Sequence, residues 1–225
     1  MIRALPANAC VMRAAAPSTA ARYVYLGAMT RFVLALLLAF GTAAPASADI
    51  VSLAALSRYF NDLGTAQGTF TQINADGSVS TGDVYLHRPG RMRFDYDGDD
   101  LLVIAGGRQV AIFDGRSNAR REQYPLSETP LNLILARNVD LARSGMVIGH
   151  TFDGTATRVL AQDPDRPEIG TIELVFTNDP IELRQWVITD GTGAQTTLVL
   201  GDLEQGGQMP SGLFNITQEI QSRER

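Results

Sequence analysis

The side chains that most often do chemistry are scarce in this sequence. There are two histidines, His87 and His150, and one cysteine, Cys10. No His-Glu-x-x-His, Gly-x-Ser-x-Gly or P-loop spacing occurs, so the metal-hydrolase, serine-hydrolase and nucleotide-binding arrangements have no candidate. Gly191-Thr192-Gly193 is a fragment of a dinucleotide loop without its third glycine, in a turn between strands. The run Asp95-Tyr96-Asp97-Gly98-Asp99-Asp100 offers carboxylates in a tight turn, the donor type Ca²⁺ takes. Its glycine is misplaced for an EF-hand loop, and the twelfth position is Gly106 rather than an acid, so it reads as a solvated turn. His87 falls on the polar side of its strand and reads as a surface residue. The expectation is therefore no catalytic residue, no metal and no cofactor, and a binding protein rather than an enzyme.

Charge narrows the class further. All 19 basic residues are arginine, against 24 acids, for a net charge of −5. An acidic chain is a poor general binder of nucleic acid, whose affinity rests on neutralising phosphates. The charge is also unevenly placed: Arg3, Arg13, Arg22 and Arg31 stand in residues 1–48 with no acid, and all the acids follow. From Met29 onward, Arg31, the apolar run Phe32–Phe40 and the small-residue site Ala46-Ser47-Ala48 have the order of an export signal. The run is too short for the ~20 apolar residues of a membrane-spanning helix. Residues 1–28 then read as a start-site extension, 29–48 as a signal peptide cleaved before Asp49, and 49–225 as a single exported domain. Cys10 lies ahead of the cleavage site, so the mature domain would contain neither a disulfide nor a lipid-anchored cysteine.

The elements that position these residues are mostly strands. Ile50, Leu53, Leu56, Phe60 and Leu63 recur at helical spacing, with Asp49 or Ser52 as cap and Gly64 as stop. From Gly68 to Phe113 the period is two, broken by Asp76-Gly77, Pro89-Gly90, Gly106-Gly107 and Asp114-Gly115. Thr129-Pro130 predicts the start of a helix over Leu131–Ala136, with a further helical turn through Val139–Ser144. Strands resume at Met146–Phe152, Thr157–Gln162, Ile169–Thr177, Leu183–Thr189 and Gln195–Leu203, with a closing strand at Phe214–Glu219. The expected fold is α+β: one large, curved antiparallel sheet whose few helices cover one face. Such a sheet is either an ordinary core or a cavity with a lid.

Several segments resemble the periplasmic lipoprotein carrier family, LolA. These are Leu63–Gln72, the hairpin Ser80–Phe94 with its Arg88-Pro89-Gly90, the pair Leu102–Gly107 and Val110–Asp114, and Thr129–Leu135. The resemblance implies an open half-barrel with a lid of short helices on its concave face. It further implies a periplasmic monomer that carries acylated lipoproteins from the inner to the outer membrane. Its partners would be an inner-membrane lipoprotein-releasing ABC transporter and an outer-membrane receptor lipoprotein. Arg88 falls on the arginine that holds the lid shut in the family. Phe70, Val84, Leu86, Met92, Phe94, Leu102, Ile104, Leu174, Phe176, Trp186 and Ile188 become the expected acyl-chain-binding residues. Leu53, Leu56, Phe60, Leu131, Ile134 and Leu135 become the expected lid. Leu213–Thr217 departs from the family's Phe-x-Pro-Pro ending. A carrier of another envelope lipid and a lipoprotein-sensing regulatory domain are the alternative functions.

Overall fold

Alternation of apolar and polar residues over most of the chain produces one sheet. The computed structural model describes residues 49–98, 100–115, 121–143 and 145–225. The start-site extension, the signal peptide, Cys10, Asp99 and Ser144 lie outside the described residues. Helix α1 spans Leu53–Asp62 and is capped by Ser52, whose Oγ accepts from Ala55 N. There follow β1 (Thr65–Ile73), β2 (Val79–His87), β3 (Arg91–Tyr96), β4 (Leu101–Gly106), β5 (Gln109–Asp114) and β6 (Glu122–Pro125). A 3₁₀ turn at Leu126–Glu128 and the short helix α2 (Asn132–Leu135) interrupt the strands. Then come β7 (Val147–Phe152), β8 (Thr157–Gln162), β9 (Gly170–Asn178), β10 (Ile181–Asp190), β11 (Gln195–Leu200) and the two-residue β12 (Glu204–Gln205). A 3₁₀ turn at Ser211–Phe214 leads into helix α3 (Ile216–Arg223).

Among the described residues, all twelve strands form one antiparallel sheet, ordered β6-β5-β4-β3-β2-β1-β11-β10-β9-β8-β7, with β12 paired to β1. The two outermost strands, β6 and β7, do not pair with each other, so the sheet is open. It is the expected α+β half-barrel. Val84, Phe94 and Val103 lie side by side across β2, β3 and β4, and Leu174, Trp186 and Leu198 do so across β9, β10 and β11. Those rows, with α1 and α2, make the main core. Rings meet edge-on there: Phe70 with Phe94 and Tyr96, and Phe60 with Tyr59 and Phe176.

Three local expectations differ from the structure, and one strand was not expected. The segment Phe214–Glu219 is not a closing strand. Asn215 accepts a bond from Gln218 N and caps α3, and Ile216 and Ile220, four apart, rest on the sheet. The helix after Thr129 begins later, at Asn132, because Thr129 Oγ1 donates backward to Leu126 O instead of capping. Residues 139–143 are not helical; Asn61 and Ser57 take up the backbone of Val139 and Leu141 instead. The strand β6, four residues with three of them exposed, was not legible by periodicity.

Candidate functional site

The main core is not filled completely. Beneath α1 and α2, Phe60, Leu63, Ala66, Val84, Leu86, Met92, Ile134, Leu135, Leu183, Trp186, Leu200 and Leu203 surround an apolar cavity, and Arg88 is the one charged residue at its wall. The cavity is about 20 Å³, roughly the room of one water. Pockets that take organic ligands are about 300–1,000 Å³. In this conformation the lid is closed and the apolar surface is turned on itself.

The lid is built from two segments stitched together. Asn61 Nδ2 donates to Val139 O at 2.8 Å, and Asn61 Oδ1 accepts from Val139 N at 2.9 Å. Ser57 Oγ accepts from Leu141 N at 2.9 Å and donates to Leu53 O at 2.7 Å. At its start, the chain before α1 is fixed to the sheet: Val51 N donates to Thr157 Oγ1 at 3.0 Å, and Val51 O lies 2.9 Å from His150 Nε2.

Arg88 ties the lid to the sheet. It follows the last residue of β2, and its Nη2 donates to Ala136 O, the residue that ends α2, at 2.6 Å. Gly90 N donates to Leu135 O at 2.9 Å beside it, and the guanidinium lies 5.9 Å from the Phe60 ring centroid. Arg88 is buried, and its Nε has no hydrogen-bond partner among the described residues. Burial lowers its pKa from the usual arginine value. The side chain thus reaches one lid carbonyl, that of Ala136.

The structure brings most of the expected lining together. Val84, Leu86, Met92 and Trp186 reach the cavity, as do Phe60, Ile134 and Leu135 of the lid. Phe70, Phe94, Leu174, Phe176 and Leu56 stand in the surrounding core, and Leu53, Leu131 and Ile188 pack against it half-buried. Leu102 and Ile104 are not with them. In β4, Val103 shares a row with Phe94, so Leu102 and Ile104 point through the opposite face. There they form a second cluster with Ala111, Phe113 and Ile216 under α3. The run Leu101–Ala105 is apolar on both faces, so sequence alternation could not choose between them. Conversely, Ala66, Leu183, Leu200 and Leu203 were missed as lining, although Ala66 and Leu200 keep the period of Phe70 and Leu198.

The remaining candidates are occupied by structural roles. Asp95 pairs with Arg93, Asp97 accepts from Thr81, and Asp100 pairs with Arg223 at 3.0 Å. His87 is not a free surface residue. It lies edge-on to Phe214 at 5.9 Å, its Nδ1 is buried without a partner among the described residues, and burial together with Arg91 lowers its pKa.

The family described as outer membrane lipoprotein carrier protein LolA matches residues 61–217. An outer-membrane lipoprotein carrier protein of Halorhodospira halophila is 33% identical over 121 residues, half of this chain and 56% of that protein; the chain thus spans little more than half the length of that relative. A protein of the same name from Azotobacter vinelandii is 23% identical over 185 residues, 76% of this chain and 86% of that protein. Among solved structures, a LolA superfamily protein from Nitrosomonas europaea aligns over 74% of this chain and 99% of its own with a TM-score of 0.39 and 9% identity. With some 70% of its length matched by the family, the chain belongs to the outer membrane lipoprotein carrier family LolA.

Proposed function

We propose that residues 49–225 act in the periplasm as a monomeric, non-enzymatic carrier of acylated lipoproteins from the inner to the outer membrane. The observation that carries this reading is the closed apolar cavity with a lid tied down by Arg88. Each buried methylene contributes about 0.8 kcal/mol, so a multiply acylated cargo cannot leave a membrane unaided. A carrier must cover those chains with apolar surface and still give them up. A lid that competes for the same surface does both, since apparent affinity is reduced by the fraction of carrier that is open. The family membership and the export signal read in residues 29–48 support the compartment. An inner-membrane ABC transporter would hand cargo on, and an outer-membrane receptor would take it.

Trp186, the only tryptophan, lines the cavity and reports on entry. A brominated long-chain fatty acid should quench its fluorescence saturably in protein purified from the periplasm, and unlabelled fatty acid should reverse the quenching. Quenching no greater than that of free tryptophan would contradict the reading.

A further inference from the structure

We propose that the lid is latched to the sheet at two points, and that Tyr59 is the second latch. The inference rests on the carrier reading above and adds a positioning residue to it. Arg88 and Gly90 hold the lid at β2 and the turn that follows, through Ala136 and Leu135. At β10, separated from β2 in the sheet by β1 and β11, Tyr59 Oη of α1 accepts a hydrogen bond from Leu183 N at 3.2 Å.

The position of Leu183 explains why that bond exists. β10 is longer than its neighbour: its ladder with β11 covers Gln185–Thr189 only, so Leu183 has a strand partner on the β9 side alone. It also stands at the register shift between Leu183 and Gln185. A backbone N–H at such a place must find an acceptor or remain unsatisfied. The ring of Tyr59 is held edge-on by Phe60 at 5.6 Å and Phe176 at 5.8 Å, which aims the hydroxyl at Leu183. Burial raises its pKa, so it is a neutral phenol. Leu183 itself lines the cavity, so this latch fixes α1 to the β10 part of its wall.

The mechanical arrangement is that of a flap. Val51, with both backbone groups bonded to Thr157 and His150, is the fixed end. Tyr59 lies at the far end of α1, and the Asn61–Val139 and Ser57–Leu141 bonds make the loop after α2 travel with the helix. Opening the cavity therefore requires both latches to break, one at the end of β2 and one at β10.

The experiment compares Tyr59→Phe, Arg88→Leu and the double variant, each exported and purified from the periplasm. It reads quenching of Trp186 by the brominated fatty acid and hydrogen exchange at the Leu183 amide. Tyr59→Phe keeps the packed ring and removes only the acceptor. It should tighten fatty-acid binding about tenfold and strip the Leu183 amide of protection, and its effect should multiply with that of Arg88→Leu. A merely structural tyrosine would lower the melting temperature without tightening binding, and that result would overturn the latch. Unchanged affinity with a protected Leu183 amide would also overturn it. If the unmodified protein takes up no fatty acid, carriage fails; a still-protected Leu183 amide in Tyr59→Phe would then reject the latch separately.

Discussion

Arg88 is the one buried arginine among the described residues, and its surroundings give it little in return for lost water. Its guanidinium makes one bond to Ala136 O and lies over the face of Phe60, while Nε has no partner among the described residues. The bond to Ala136 O is made only with the lid shut, so removing it destabilises the closed form relative to the open one. Arg88→Leu should raise acyl affinity about ten- to a hundredfold, so that cargo is accepted from inner-membrane vesicles but not passed to outer-membrane vesicles. Normal release would contradict the gate. Tyr96 offers a separate check on the closed core. Burial pushes its phenol up to about 12, and its hydroxyl donates to Gln72 Oε1 at 2.7 Å. The folded state thus holds this proton more tightly than the unfolded chain does. The resulting stability is complete below the ordinary tyrosine pKa of about 10, is lost as pH rises toward about 12, and should disappear from the pH profile of Tyr96→Phe. At this scale the sequence was legible where alternation was clean. Val84, Met92 and Phe94 could be put on one face, whereas Leu102 and Ile104 could not, because both faces of β4 are apolar.

The elements divide the sheet's two faces between them. α1 and α2 cover the cavity face, and α3 covers the other, over Leu102, Ile104, Ala111 and Phe113. The contact of α3 is reinforced by Arg223 on Asp100 at 3.0 Å and by Arg93 on Leu213 O at 3.2 Å. Gly106 allows it: a side chain there would collide with Phe214 O. Ile216→Ala should therefore cost about 2–4 kcal/mol in urea unfolding while leaving fatty-acid binding intact, because the cavity is on the opposite face. Loss of binding at preserved stability would contradict that separation. His87 adds a pH dependence to the same contact. Its pKa is lowered in the fold, so the native state binds fewer protons than the unfolded one. That contribution is present above the ordinary histidine value of about 6.5 and is lost as pH falls below it; His87→Gln should flatten the acid limb. The C-terminal helix was not read from the sequence because Phe214, Ile216 and Ile220 fit either period over so short a span, and only the Asn215 cap decides for helix.

At the scale of the molecule, an open sheet with one side latched and the other side sealed has a single apolar interior that can be exchanged for a ligand. The α+β class, the single antiparallel sheet and the covering of one face by helices were legible from the change in period after Gly64 and from the turn residues between strands, whereas the pairing of β1 with β11 that joins the two halves was not. The nearly closed volume was not, since it depends on how Ile134 and Leu135 seat against Trp186 and Leu183 across long sequence separations. Carriage requires that this volume expand around acyl chains. The most direct test is native mass spectrometry of Arg88→Leu isolated from the periplasm, where an open lid should trap whatever the protein carries. The prediction is one acylated polypeptide bound per protein molecule; an empty protein, or one holding only free lipid, would contradict lipoprotein carriage.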